Sequence, residues 1–329
     1  MPDFEFVGNP DLKYIADYKG NKFANGRFYN EQYRKQPQIK EVVQWKMAGN
    51  PQKREKQNDD FRLAVLANNQ FFNKNDDMIV WLGHASFFIR LNGVNIITDP
   101  CFYDMYFINR LANLPCKADE IKNIDYILLS HGHRDHFDVK SLKVLTKNNP
   151  TVKFLCPLKI GELIKKYIGD FETQEAGWYQ QFSLIKEIDM VCLPAIHWNR
   201  RLLTDFNNQL WASFWLKSNT TSIYFGGDSA FGPHYTDIEK VMGSPAIAIL
   251  GIGAYKPQLI MQSSHTSPNE AVEACNLLGA KHFIPMHYGT YDLSDEPISE
   301  PITTVKTLKS DGTLKAGLIN LKIGEQWGC

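Results

Sequence analysis

The run His131-Gly132-His133-Arg134-Asp135-His136 sets three imidazoles and a carboxylate within six residues, directly after the apolar stretch Tyr126-Ile127-Leu128-Leu129-Ser130. No single face of a helix or strand can present all four side chains, because helical faces repeat every 3.6 residues and strand faces every two. The segment must therefore be a loop leaving the end of a strand, where α/β layers place their chemistry. Imidazole and carboxylate are ligands that borderline cations such as zinc accept, and on such a turn Asp135 and His136 can face a second ion beside the first. Two ions ~3.5 to 4 Å apart would make a hydrolytic centre. A merely solvated turn would have to account for so many imidazoles in one place in a chain that has nine histidines in 329 residues.

Three further ligand candidates each end a strand-like run. His197 follows Met190-Val191-Cys192-Leu193-Pro194-Ala195-Ile196, Asp228 follows Ile223-Tyr224-Phe225-Gly226-Gly227, and His287 follows His282-Phe283-Ile284-Pro285-Met286. Taken singly, a histidine after a strand is usually a hydrogen-bonded structural residue, and an Asp after Gly-Gly a turn former or helix cap. Their common placement gives them weight.

Residues 1 to about 75 are polar, aromatic-rich and weakly periodic, punctuated by Gly20, Gly26, Pro37 and Pro51, which predicts an extension packed on a body spanning 76–329. The body opens with strands at 79–82, 86–91 and 94–98, the last two joined by Asn92-Gly93, a strong hairpin signal. Strands are then expected at 124–130, 152–156, 181–185, 189–194, 210–217, 221–226, 246–251 and 281–285, with helices at 138–147, 158–168, 234–242 and 267–278. This mixed order favours sheets with helices packed outside.

Lys plus Arg equals Asp plus Glu, 36 against 36, so no overall field recruits nucleic acid or an anionic bilayer, although a local patch remains open. The six cysteines form no CxxC pair and read as reduced structural thiols. No basic-then-apolar leader opens the chain and no run approaches the ~18 apolar residues of a membrane span, so the expected location is cytoplasmic.

The ordered set His131-x-His133-x-Asp135-His136, His197, Asp228 and His287 resembles the metallo-β-lactamase superfamily of binuclear hydrolases. Trp81-Leu82-Gly83-His84-Ala85-Ser86, Thr98-Asp99-Pro100, Phe225-Gly226-Gly227-Asp228-Ser229 and Pro285-Met286-His287-Tyr288-Gly289-Thr290 narrow the resemblance to the branch containing N-acyl-phosphatidylethanolamine-hydrolysing phospholipase D. Asn25-Gly26-Arg27-Phe28 is similar to that branch's N-terminal segment. The resemblance implies an α/β (α+β) fold, a four-layer αββα sandwich with an N-terminal extension. It implies two Zn²⁺ ions, one on His131, His133 and His197 and the other on Asp135, His136 and His287, with Asp228 bridging. Mn²⁺ or Fe²⁺ are alternatives, but the superfamily's diiron oxidoreductases usually carry Glu where this chain has His133.

The resemblance also implies attack of a bridging hydroxide on a phospholipid-like phosphodiester, with Asp135 or Asp228 accepting a proton. A lactone or other cyclic ester, as in the related ascorbate-6-phosphate lactonases, is the alternative substrate. Peripheral membrane contact and a homodimer are compatible with it, and nucleic acid is not an expected partner. Asp99 is the candidate for orienting a metal-bound imidazole, with an Asx turn before Pro100 as the alternative. His265, just before the 267–278 helix, could contact phosphate or protonate a leaving group. Arg134 and Tyr288 could point towards a phosphoryl oxygen, with pairing to a surface acid as the alternative for Arg134. His84 could approach the site, although a structural hydrogen bond is the preferred reading, and His234 and His282 are expected to be structural. The stretch Phe102 to Ile108 is by default a core segment, and if exposed would suit a lipid-like substrate.

Overall fold

The fold rests on two seven-stranded sheets whose central strands are buried on both faces. A computed structural model describes residues 3–30 and 39–328; Pro37 and Cys329 lie outside them. In chain order, β1 (Glu5–Val7), β2 (Asn21–Ala24) and β3 (Arg27–Tyr29) form a small antiparallel sheet, followed by α1 (Ile39–Ala48) and α2 (Lys53–Gln57). Next come β4 (Met78–Gly83), β5 (Ser86–Leu91), β6 (Val94–Thr98), β7 (Tyr126–Leu128), α3 (Val139–Asn148), β8 (Lys153–Pro157), α4 (Ile160–Tyr167) and β9 (Thr173–Ala176). The second half holds β10 (Gln180–Gln181), β11 (Asp189–Leu193), β12 (Ser213–Lys217), β13 (Ser222–Phe225), α5 (His234–Met242), β14 (Ile247–Gly251), α6 (Gln258–Met261), α7 (Pro268–Leu277), β15 (His282–Met286), α8 (Glu300–Ser310), β16 (Gly317–Leu318) and β17 (Gln326–Gly328).

The sheet orders are β17-β4-β5-β6-β7-β8-β9 and β10-β11-β12-β13-β14-β15-β16. Each is antiparallel in its first strands and parallel from β6 or β13 onward. Strand β4 shows how the layers arise. Its side chains alternate faces, so Ile79 and Trp81 enter the core between the sheets, while Met78, Val80 and Leu82 enter a second core under α3 and α4. Helices α5, α7 and α8 cover the other sheet through Ile238, Val272 and Val305. This is an αββα sandwich. The Asn92-Gly93 turn has both residues at positive φ, +48° and +83°, as a two-residue turn matching strand twist requires.

The chain departs from the sequence expectation in three places. The strand expected at 181–185 stops after Gln181, where Gln174 Oε1 accepts from the backbone of Ser183 and Leu184 and bends the chain so that both Phe182 and Ile185 are buried. β9 is a polar Thr-Gln-Glu-Ala strand with no alternation to reveal it. The last residues, which carry no diagnostic pattern, form α8 and β17, and β17 pairs with β4 to cover that sheet edge.

The N-terminal segment is tied to the body by buried and half-buried hydrogen bonds. Gln180 Oε1 accepts from Asn9 N at 2.8 Å, and Trp45 Nε1 donates to Asp295 Oδ2 at 2.6 Å. Gln52 Nε2 donates to Glu300 Oε2 at 2.9 Å, and Asp59 Oδ2 accepts from Ser299 N and Oγ. Burial would raise the Glu300 carboxyl, but Lys256, Tyr255 and Gln52 donate to it and hold it below its usual value. A depressed carboxyl stabilises the fold above its unfolded pKa and loses that contribution as pH falls through the folded value. The melting temperature is therefore expected to fall as pH drops below about 4.5, and Glu300→Gln should shallow that slope while lowering stability at pH 7; an unchanged acid limb in thermal melts counts against this coupling.

Candidate metal centre

The candidate residues converge because the parallel strands of both sheets end at the same edge. His131 follows β7, Asp99 β6, His197 β11, Asp228 β13 and His287 β15. Backbone at this edge is unusual: His84, Asp99 and His287 sit at φ of +54°, +34° and +60°. Such conformations cost of order 1–3 kcal/mol each and persist where surroundings hold them. His287 N donates to His84 O, and a side chain at Gly253 would sit 2.1 Å from His287 O, so only glycine allows that approach.

Two neighbouring groups of donors result, linked through Asp228, which clusters with His131 and His136. His131, His133 and His197 form one, and His84, Asp135, His136 and His287 the other. His133 Nδ1 lies 2.9 Å from His131 Nε2 and 3.1 Å from His197 Nε2. Asp228 faces both groups, with Oδ2 3.1 Å from His136 Nε2, 3.8 Å from His197 Nε2 and 3.9 Å from His131 Nε2, and Oδ1 3.3 Å from His287 Nε2. Asp135 Oδ2 lies 3.5 Å from His136 Nε2 and 3.6 Å from His287 Nε2.

The far nitrogens are fixed by the protein. Asp99, fully buried, accepts from Ser130 N at 2.7 Å, Ser130 Oγ at 2.5 Å and His136 Nδ1 at 2.8 Å. Ser130 Oγ, its proton given to Asp99, accepts in turn from His131 Nδ1 at 2.9 Å. One carboxylate thus orients an imidazole in each group, directly for His136 and through Ser130 for His131. Ser264 O accepts from His197 Nδ1 at 2.9 Å. The Nε2 atoms of His131 and His197 are thereby left as lone pairs directed inward, and that of His136 becomes one when its proton is displaced.

These residues fit a pair of divalent metals. Nε2 of His136 and His287 are buried and make no well-formed hydrogen bond, with only the carboxylates of Asp135 and Asp228 beside them at 3.1–3.6 Å, an arrangement that a bound cation would complete. The 2.9–3.1 Å spacings in the first group approach the ~3.3 Å edge of a tetrahedron built on ~2.0 Å Zn–N bonds. Burial holds His131 and His197 well below the usual imidazole value and His133 at about 4, so all three are neutral ligands. Burial would raise Asp135 and Asp228, but His136 holds both far below the carboxylate range. Burial likewise opposes charge on His136 and His287, yet Asp228 and Asp135 lift the first well above its usual value and the second to about 9. Divalent cations would take over this neutralising role and release those protons.

Several side chains differ from expectation. Arg134 turns away from the centre, donating to Tyr106 Oη at 2.7 Å and Arg201 O at 3.2 Å. Tyr288 points into the core, where its hydroxyl meets Asn320 and its ring stacks on Trp81 at 5.2 Å. His84, expected to be structural, places Nε2 3.1 Å from Asp135 Oδ2 and packs on His287 at 4.0 Å. Its Gly-His-Ala-Ser turn carries no ligand spacing that would signal this. His265 Nδ1 lies 3.7 Å from Asp228 Oδ2, and His234 is buried elsewhere against Ser229. Trp198, not singled out by any pattern, sets its ring edge-on to His133 at 4.4 Å.

A family model for the β-lactamase superfamily domain matches residues 94–288. The chain belongs to the metallo-β-lactamase superfamily of metal-dependent hydrolases. Within this superfamily it is similar to N-acyl-phosphatidylethanolamine-hydrolyzing phospholipase D 1 of Caenorhabditis elegans, 31% identical over 264 residues, 75% of this chain and 74% of the relative. The mitochondrial N-acyl-phosphatidylethanolamine-hydrolyzing phospholipase D of Saccharomyces cerevisiae is 30% identical over 250 residues, 71% of this chain. The match spans about half of the yeast protein, 52%. A metallo hydrolase from Ignicoccus hospitalis shares the fold with a TM-score of 0.56 at 19% identity, covering 76% of this chain and 97% of that one. Among the described residues no helix is long and apolar enough to cross a membrane.

Proposed function

We propose that the protein is a two-zinc phosphodiesterase acting on phospholipid-like substrates of the N-acyl-phosphatidylethanolamine type. The observation that carries this reading is Asp228, one buried carboxylate facing two donor groups at once; the named activity of the nematode and yeast relatives supports the substrate class. In it, His131, His133 and His197 hold one ion, Asp135, His136 and His287 the other, and Asp228 both. When bound, the ions supply Lewis acidity and acidify water towards neutrality. Two carboxylates against two divalent cations leave net positive charge, which draws an anionic diester into the edge of the sandwich. His133, an imidazole where a carboxylate would favour iron, supports zinc.

Asp135, partly exposed and steadied by His84, is positioned to take a proton from water. His265, also partly open to solvent, lies beside Asp228; burial lowers it to about 4, so it is neutral, and its role in this reading is to donate an N–H hydrogen bond to the departing oxygen. Assaying the zinc-loaded protein against N-acyl-phosphatidylethanolamine, simpler phosphodiesters and lactones tests the reading. Turnover of the diesters is expected; lactone hydrolysis with inert diesters would replace it by a cyclic-ester hydrolase. In the same panel His265→Ala should slow N-acyl-phosphatidylethanolamine by about 10²-fold, keep its metal content, and lose little on an aryl diester whose leaving group needs no proton.

A further inference from the structure

Two exposed apolar fingers stand beside the metal loop on turns whose geometry does not call for apolar residues. Met105 and Ile108 exchange backbone hydrogen bonds at 2.9 and 2.7 Å, closing a two-residue hairpin with Tyr106 and Phe107 at its tip. Such turns favour Asn-Gly, because they need positive φ; here Tyr106 is held at +44°, 75% exposed, and Phe107 is fully exposed at 100%. The second finger is the 201–205 turn, where Asp205 Oδ1 accepts from Arg201 N and Leu202 N. It presents Leu202 and Leu203, the latter 93% exposed. Arg134, between His133 and Asp135, joins the fingers by donating to Tyr106 Oη and Arg201 O.

Between them lies a cavity of about 590 Å³ lined by Arg134, Lys140, Lys143, Lys147 and Arg201 against two carboxylates, Asp104 and Asp138. Both carboxylates are occupied by backbone donors, Asp104 by Arg110 N and Asp138 by Lys140 N and Ser141 N. The ion pairs among the described lysines and arginines lie elsewhere, at Lys56–Asp292, Lys153–Glu172, Lys159–Glu162, Lys240–Asp237 and Lys256–Glu300. Arg201 is the sharpest case. It is 8% exposed, donates Nη1 to Gly132 O and Phe137 O, leaves Nε without a partner, and has no carboxylate within ion-pair distance among the described residues. A buried guanidinium is normally matched by an anion.

We propose that this face docks on an anionic lipid surface, with Tyr106, Phe107, Leu202 and Leu203 entering the headgroup boundary and the basic cavity taking lipid phosphates. Charge complementarity selects the occupant: aromatic and aliphatic tips flanked by lysine and arginine are the combination that binds an interface by apolar burial and electrostatic attraction together. A neutral chain overall can do this because the charge is local. Docking here sets the metal loop against the membrane, whichever bond the centre cleaves.

The test is co-sedimentation of the full metal-loaded chain with vesicles of phosphatidylcholine alone and of phosphatidylcholine with about 30% phosphatidylglycerol. Binding to the anionic vesicles is expected at least tenfold above the neutral ones, weakened in about 0.5 M salt. Phe107→Ser with Leu203→Ser, and separately Lys143→Glu with Lys147→Glu, should each lower it about tenfold or more, with melting temperature and metal content unchanged because all four side chains lie at the surface. Inorganic phosphate at millimolar concentration should not displace the protein. Equal affinity for both vesicle types, displacement by phosphate, or pairs of variants that bind as the parent does would each overturn the proposal.

Discussion

Replacing Asp228 by Asn is expected to strip at least one metal and to lower turnover by about three orders of magnitude or more, the scale seen when a group acting on the reacting centre is lost. The side chain keeps its volume, so the β13 terminus has no packing reason to move. What changes is charge and donor sense. The carboxylate faces His131, His136, His197 and His287 within 3.1 to 3.9 Å, and an amide offers one oxygen in place of two while turning a donor towards nitrogens that need a cation. His133→Ala acts on one group only, removing Nδ1 from its place between His131 and His197. It should therefore cost one metal and leave the Asp135–His136–His287 group loaded. Elemental analysis beside steady-state kinetics separates the two variants, and retention of two zincs with normal turnover in either would refute the ligand assignment.

Much of this geometry was legible because the informative residues are chemically costly and locally spaced. Residues 131–136 could satisfy neither helical nor strand periodicity, so a loop with a ligand role followed from the residues, and the structure places it at the end of β7. The Asn92-Gly93 hairpin was equally local. His84 was legible only in part, its turn leaving both an approach to the site and a structural bond open. Its role depends on the backbone bond from His287 to its carbonyl, which spans 203 residues of chain and joins the two sheets. Arg134 and Tyr288 misled for the same reason, since adjacency to a ligand says nothing of the direction a side chain takes. The stretch from Phe102 to Ile108 divides within itself: Phe102 and Met105 are buried while Tyr106 and Phe107 are not. Composition could not show that, because a hairpin tip is set by two backbone hydrogen bonds.

Asp99 carries the second large prediction, and two substitutions separate its contributions. Asp99→Ala leaves Ser130 N, Ser130 Oγ and His136 Nδ1 buried without their acceptor. At roughly 1–3 kcal/mol for an unsatisfied buried donor, with partial compensation between neighbours, the fold should lose about 3 kcal/mol or more. Asp99→Asn keeps the volume, and asparagine tolerates the positive φ at this position better than most residues. Its amide can accept from Ser130 N, but its NH₂ then confronts the N–H of His136 and the hydroxyl of Ser130. The least costly escape removes the proton from His136 Nδ1 and keeps the one on Nε2, the atom facing Asp228 and Asp135, where a protonated nitrogen cannot bind metal. Stability of the metal-free Asn variant should therefore stay near that of the parent, while metal affinity falls about 10–100-fold. Because Ser130 carries the same orientation to His131, the loss should reach both groups rather than the His136 group alone. Chelator competition on the two variants beside melting of their metal-free forms reads the two effects separately; an Asn variant that binds both metals as tightly as the parent would show that Asp99 serves only the turn before Pro100.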